Sequence, residues 1–219
     1  MEPAVEKLVE ADSQETKKIK KMILKNYSSF QIIKVDRVEN SFLKAMYLLK
    51  KEEYLSRYGK VEEKDLFHVT SAKNVKSIIN NNFDWRRVLR GKFGIGTSFS
   101  DDAEYANHYA NQNIGSSRAF IITKVLVSNQ IGGHKNLKIP KNNYDTTTGN
   151  GKVYVKFGDN ETLPMYVAYY KTREFTTKHK TNLLFDYNNY VDYDYDDGAN
   201  DDDYYYFDDD YTCDLYDGY

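Results

Sequence analysis

Apolar positions recur with two periods along this chain, and the switching between them predicts the elements. Ile19, Ile23 and Leu24 share one face of a helix predicted over Lys17 to Asn26, and Phe30 to Val38 alternates with β-branched residues as a strand does. Phe42, Ala45, Met46, Leu49 and Tyr54 approximate a helical stripe that Gly59 ends, and this stripe is expected to face the core. A strand at Leu66 to Thr70 follows, then a helix from Ala72 to Asn82 with Val75, Ile78 and Ile79 inward. Asp101 or Asp102 caps the next helix, which carries Ala103, Tyr105, Ala106 and Tyr109. Three later segments, 119–127, 152–157 and 165–170, have the β-branched and aromatic composition of a sheet covered on both faces. Gly132 to Gly151 is a polar connection broken by Gly132, Gly133, Pro140 and Gly149. Helices early and strands late, with few crossovers, predict a mixed α+β domain.

Charge divides the chain where periodicity stops. The 219 residues carry a formal net charge of -2, yet residues 1–185 hold all 31 Lys and Arg against 20 Asp and Glu, while 186–219 hold 13 Asp and no basic residue. The domain is thus +11 and the tail -13. Clustered cations suit a pyrophosphate or a polyanionic partner; a solubilising lysine-rich surface reads the same way in sequence. The tail, with repeats such as Tyr193-Asp194-Tyr195-Asp196, is too charged to pack a core and is expected to be disordered. Its Asp spacing lacks the ordered loop and closing Glu of a calcium site. Cys213 is the single cysteine, so no intramolecular disulfide and no cysteine-based zinc site is available. The N-terminus has no apolar core of signal length and no window spans a membrane, so the expectations are nucleus or cytoplasm and no membrane partner. The organisation read from these shifts is an N-terminal extension over 1–16, a domain over 17–175 and an acidic tail over 176–219.

The chemistry-bearing phrases are Leu66-Phe67-His68-Val69-Thr70 and, about thirty residues on, Gly94-Ile95-Gly96-Thr97-Ser98-Phe99. A strand presenting a polar His and Thr, near a second short strand entered through paired glycines, offers side chains and bare backbone to one cleft. In this order and spacing the pair resembles the catalytic domain of the poly(ADP-ribose) polymerase family, most closely its mono-ADP-ribosylating members. The Leu-Phe-His-Gly-Thr, Asn-Phe-Asp and Gly-x-Gly-x-Tyr-Phe phrases of that family match Leu66 to Thr70, Asn82-Phe83-Asp84 and Gly94 to Phe99. Ile32 to Asn40, Tyr144-Asp145, Val153 to Phe157 and Leu163 to Val167 match further phrases in collinear order, from about Lys17 to Lys171. The resemblance implies the split antiparallel-sheet ADP-ribosyltransferase fold, NAD as substrate and no metal.

The resemblance also implies roles. Breaking the nicotinamide glycosidic bond passes through a cation-like ribose, so a site must hold the nicotinamide, fix the sugar and stabilise positive charge. His68, Ser98 and Val167 occupy the positions of the family's His-Tyr-Glu triad, and two of the three are substituted. His68 would hydrogen-bond the adenosine ribose. Val69 replaces the glycine whose backbone brackets the carboxamide, Ser98 replaces a nicotinamide-stacking Tyr, and Ala106 replaces the carboxamide-bonding Ser, whereas the second stacking ring, Tyr109, is kept. Thr70, Gly96 and Phe99 complete the expected NAD-contacting set, and Arg86, in the basic loop Arg86 to Lys92, is placed to meet the pyrophosphate. Val167 cannot accept a hydrogen bond from a ribose hydroxyl, which disfavours chain elongation.

Three functions are compatible with these residues: NAD-dependent transfer of single ADP-ribose units to acceptor proteins the sequence does not identify, a catalytically degenerate NAD- or ADP-ribose-binding scaffold, and a basic nucleic-acid-binding module resting on charge alone. The acidic tail is also expected to compete with anionic ligands for the basic domain.

Overall fold

The structure is a computed structural model that describes residues 7–25, 30–108, 110, 117–135 and 137–172. Its elements are β1 (Lys7–Glu10), α1 (Ser13–Ile23), β2 (Phe30–Glu39), α2 (Ser41–Tyr58), β3 (Glu62–Ser71), α3 (Val75–Asn81), β4 (Thr97–Ser100), α4 (Ala103–His108), β5 (Arg118–Val127), β6 (Gln130–Gly132), β7 (Thr146–Gly149), β8 (Val153–Lys156) and β9 (Thr162–Thr172). Two 3-10 turns, Ala72–Asn74 and Trp85–Arg87, precede α3 and enter the basic loop. The nine strands run in the order β1-β2-β9-β5-β3-β4-β8-β7-β6. All ladders are antiparallel except β6 with β7. The expected α+β class holds.

The sheet narrows sharply at one place. Residues 62–71 of β3 pair continuously with 118–127 of β5, yet β3 meets β4 only at Phe67 with Ser100. Two half-sheets, β1-β2-β9-β5-β3 and β4-β8-β7-β6, therefore share one registered pair. On one face of the first half-sheet, Phe67, Val69, Phe120, Ile122 and Tyr170 pack with Ile19 and Ile23 of α1 and Ala103 of α4. On the other, Ala119 and Val167 pack beneath Val75 and Ile79 of α3.

Local chemistry sets where the helices begin and end. Asp12 accepts hydrogen bonds from the backbone of Gln14 and Glu15 while Glu15 reaches back to the Asp12 N–H, a reciprocal cap that starts α1 at Ser13. Residues 1–16 are therefore not wholly an extension: Lys7–Glu10 is an edge strand on β2, and α1 begins four residues before the expected Lys17. Gly59, at φ 71°, ends α2 as expected. Of the two candidate caps for α4, Asp102 fills the role, accepting from Glu104 and Tyr105 N–H groups. The polar connection 132–151 is more ordered than its composition predicts, because Thr146–Gly149 forms β7 between β6 and β8.

The face of α2 is also corrected. Phe42 and Leu49 are each 66% exposed, and the buried residues are Leu43, Tyr47 and Tyr54. The tyrosines win these positions because their hydroxyls find partners: Tyr47 donates to Glu63, and Tyr54 donates to Glu161. Of the expected stripe, Tyr54 is buried as expected, whereas Phe42, Ala45 and Leu49 are exposed and Leu43 and Tyr47 complete the buried face.

Tyr54 belongs to a buried ionic cluster that binds the second half-sheet to α2. Lys156 Nζ, 1% exposed, lies 2.8 Å from Asp145 Oδ2, 2.9 Å from Thr146 Oγ1, 3.2 Å from the Tyr54 hydroxyl and 3.6 Å from Glu161. Asp145 also accepts from the Ser128 and Asn129 N–H groups, and Glu161 from that of Gly158. Burial and the two neighbouring carboxylates push the Tyr54 hydroxyl far above its ordinary range, keeping it a donor. Removing the cation leaves two buried carboxylates uncompensated, so Lys156→Met is expected to lower unfolding free energy by about 3–5 kcal/mol. Lys152→Met, at the partly exposed pair with Asp102, should cost less than about 1 kcal/mol. Urea denaturation of both variants measures the difference, and equal losses would contradict this account of the cluster.

Candidate functional site

Where β3 and β4 part, backbone groups that would have paired across the two strands need other partners. Beyond Phe67 the next β3 residue is His68, whose Nδ1 lies 3.0 Å from the Ser98 carbonyl of β4. A carbonyl only accepts, so Nδ1 carries the proton and Nε2 is left as an acceptor. The side chain thus spans the opening between the half-sheets, half-buried. Burial lowers the His68 pKa, and the Ser98 carbonyl, which favours the protonated ring, offsets only part of that. The imidazole is neutral at physiological pH.

Two phenylalanines fix the ring. His68 meets Phe83 edge-on at 4.9 Å and Phe99 at 5.7 Å, while Phe83 and Phe99 touch at 5.0 Å. Phe99 is 2% exposed, so it supports His68 from inside the core rather than presenting a face to a ligand. Phe83 is positioned by its neighbour. Asn82, buried and at φ 67°, donates to the Thr162 carbonyl at 2.7 Å, and its Oδ1 accepts from both Thr162 Oγ1 and the Phe83 N–H at 2.9 Å. That left-handed turn and its bonds to β9 hold Phe83 against His68. Asn82 and Phe83 were visible in sequence only as part of a family phrase, since nothing in their spacing assigns them work.

The remaining residues expected at the site separate into groups. Ser98 is exposed, and its side chain projects to the α4 side of β4. Val69 and Ala106 belong to one apolar cluster with Phe67 and Ala103, so the valine methyls occupy space between β3 and α4. Thr70 is buried and accepts from Asn74. At Gly96 a Cβ would lie 2.4 Å from the Lys156 carbonyl, so close packing of the β4 entry on β8 demands glycine there. Arg86 bonds Asp84 at 2.7 Å and Asp159 at 3.2 Å. Burial works to raise the Asp84 carboxyl, but hydrogen bonds from the Arg86 side chain and backbone outweigh it and hold the group below its usual range. Val167 shares a cross-strand row with Ile121 and His68 but is two strands away and fully buried beneath α3. His68 and Ser98 are brought together; Val167 is not brought with them. Tyr109 lies outside the described residues.

The family model of the poly(ADP-ribose) polymerase catalytic domain matches residues 13–197. The chain belongs to the poly(ADP-ribose) polymerase (PARP) catalytic-domain family. Human protein mono-ADP-ribosyltransferase PARP12 is 28% identical over 186 residues, covering 78% of this chain and 26% of its own length. Mouse protein mono-ADP-ribosyltransferase PARP11 is 28% identical over 170 residues, covering 63% of this chain and 51% of its own length. Human protein mono-ADP-ribosyltransferase PARP14 is 28% identical over 162 residues. The chain therefore spans about a quarter of PARP12 and about half of PARP11. The split between half-sheets seen here is the feature that the family resemblance anticipated in this PARP domain.

Loosening the Phe83 contact exposes His68. Phe83→Ala is expected to raise the His68 pKa toward the unperturbed value of about 6.5, and Asn82→Ala to do the same while lowering stability by about 1–3 kcal/mol. Because the folded-state pKa lies below the unfolded value, protonation favours unfolding, so His68 removes stability as pH falls through about 6.5. NMR titration of the imidazole checks the shift; an unchanged His68 in both variants would show that Phe83 does not set its environment.

Proposed function

We propose that this PARP domain transfers a single ADP-ribose unit from NAD to a protein side chain, releasing nicotinamide. The observation that carries this reading is the His68 tautomer: with Nδ1–H committed to the Ser98 carbonyl, Nε2 is a fixed, neutral acceptor at the opening between the half-sheets. A ribose hydroxyl is the donor it suits, and the similarity to mono-ADP-ribosyltransferases points to NAD as its source.

In this reading the glycosidic bond to nicotinamide breaks, the bonding pair leaves with the neutral ring, and an acceptor oxygen or nitrogen bonds the same ribose carbon, any proton it carried passing to water. His68 orients the adenosine ribose by accepting a hydrogen bond, and moves no proton in the chemical step. Ser98 supplies no aromatic face, which weakens nicotinamide binding by about 1 kcal/mol relative to a stacked tyrosine. Val167 contributes neither charge nor hydrogen bond to the developing cation, so transfer stops at one unit and runs slowly.

A second reading, an NAD- or ADP-ribose-binding domain without transfer, draws on a specific observation: Val69 and Ala106 fill apolar space beside α4, where the resemblance puts the nicotinamide carboxamide. Incubation of the purified chain with labelled NAD separates the two. Label on the parent that falls at least about tenfold in His68→Ala supports transfer, since losing a site hydrogen bond to a buried partner costs about 1.5 kcal/mol or more. A silent parent that binds NAD, with label appearing only in Ser98→Tyr, supports the binding reading. A parent that neither binds NAD nor is labelled contradicts both.

A further inference from the structure

The four-strand half-sheet carries two neighbouring basic loops, the first of them continuing the loop that begins at Arg86. The loop from Val88 to Ile95 and the loop from Gly133 to Lys141 pack side by side: the Ile95 N–H donates to the Leu137 carbonyl at 2.8 Å, and Phe93 and Leu137 join one apolar cluster with Val153, Val155 and Phe157. A Cβ at Gly133 would lie 2.1 Å from the Phe93 carbonyl, so the loops touch at their backbones. Neither loop contains an acidic residue. Together they expose Arg90, Lys92, Lys135, Lys138 and Lys141, and none of these five is in an ion pair among the described residues. Arg86 and Arg87, by contrast, are already paired with Asp84.

Two aliphatic side chains stand out from the same loops. Leu89 is 82% exposed and Ile139 is 68% exposed, the two largest exposures among the large apolar residues described. Phosphate backbones and acidic peptides satisfy cations but gain nothing from isolated aliphatic tips. A bilayer with anionic headgroups satisfies both, because the tips enter the acyl boundary while the long cationic side chains reach the headgroups.

We propose that this two-loop rim docks on an anionic lipid surface, with Leu89 and Ile139 inserting and Arg90, Lys92, Lys135, Lys138 and Lys141 meeting headgroup phosphates and carboxylates. This is peripheral contact; no described helix is long and apolar enough to cross a membrane. It revises the sequence expectation of no membrane partner, and it does not depend on the reading of the His68 site.

The test is co-sedimentation of the full chain with phosphatidylcholine vesicles, with and without phosphatidylserine, at low and at physiological salt. The acidic residues 186–219 are present in every variant, so comparisons are made at constant tail charge. Binding should require phosphatidylserine and weaken with salt. Each of Arg90→Glu and Lys138→Glu should weaken it by at least about fivefold, from the loss of one cation near the surface. The double variant Leu89→Ser, Ile139→Ser should weaken it by about tenfold or more with no change in thermal midpoint, since both side chains are already in water. No binding to phosphatidylserine vesicles at low salt overturns the proposal. So does binding that ignores the Leu89/Ile139 double variant, or single-stranded RNA that binds more tightly than the vesicles and is equally indifferent to it; both outcomes would mark a purely electrostatic surface.

Discussion

The organisation of the domain follows from one constraint: β3 and β4 share a single registered pair, Phe67 with Ser100, and then part. A ladder that stops early leaves a strand carbonyl facing the gap, and here the His68 imidazole takes it up. The same bond fixes which imidazole nitrogen is protonated and turns the other into an acceptor at the mouth of the opening. Fold and site are thus consequences of one interrupted sheet. Once only one pair joins the halves, other contacts must hold them in register. The Lys156 cluster does so by drawing Asp145 and Thr146 of the β6–β8 region, Glu161 before β9 and Tyr54 of α2 to one buried ammonium. Asn82 adds a neutral counterpart, joining the end of α3 to β9.

The two faces of β3 differ in chemical character. On the His68 side, rings and hydrogen bonds hold a polar group in one orientation. On the α4 side, Val69 and Ala106 join a continuous apolar cluster and Ser98 presents only a hydroxyl. In the transfer reading proposed above, binding groups for the adenosine half of NAD are therefore better provided for than those for the nicotinamide half. This asymmetry is why slow transfer and binding without transfer both rest on real features of the same opening. The burial of Val167 beneath α3 strengthens it, because the position is closed by packing as well as changed in chemistry.

The basic residues that follow Asp84 do not act as one group. Arg86 and Arg87 share Asp84, and Arg86 also meets Asp159, so these cations tie the entry of the basic loop to the turn before β9. Those farther along the loop, joined by the lysines of the neighbouring loop, face water. A patch that reads as a single basic run in sequence is divided by the fold into an ion-paired part and a part that faces water.

Much of this was legible in the sequence. Alternation marked β2, and β-branched and aromatic composition marked β5; Asn82-Phe83-Asp84, the paired glycines and the His68 phrase of β3 carried the family, and Gly59 marked the end of α2 because a left-handed cap needs little besides glycine. The signals that failed were those in which partner chemistry, rather than local pattern, decides. Tyr47 is buried because Glu63 awaits it, Lys156 because two carboxylates converge on it, and Gly96 is glycine because β8 backs onto it. Arg86 is ion-paired only because β9's preceding turn brings Asp159 beside it. Local sequence fixes backbone preference and the apolar stripe; which polar groups meet in the interior depends on residues tens of positions apart, and only the closed sheet brings those together.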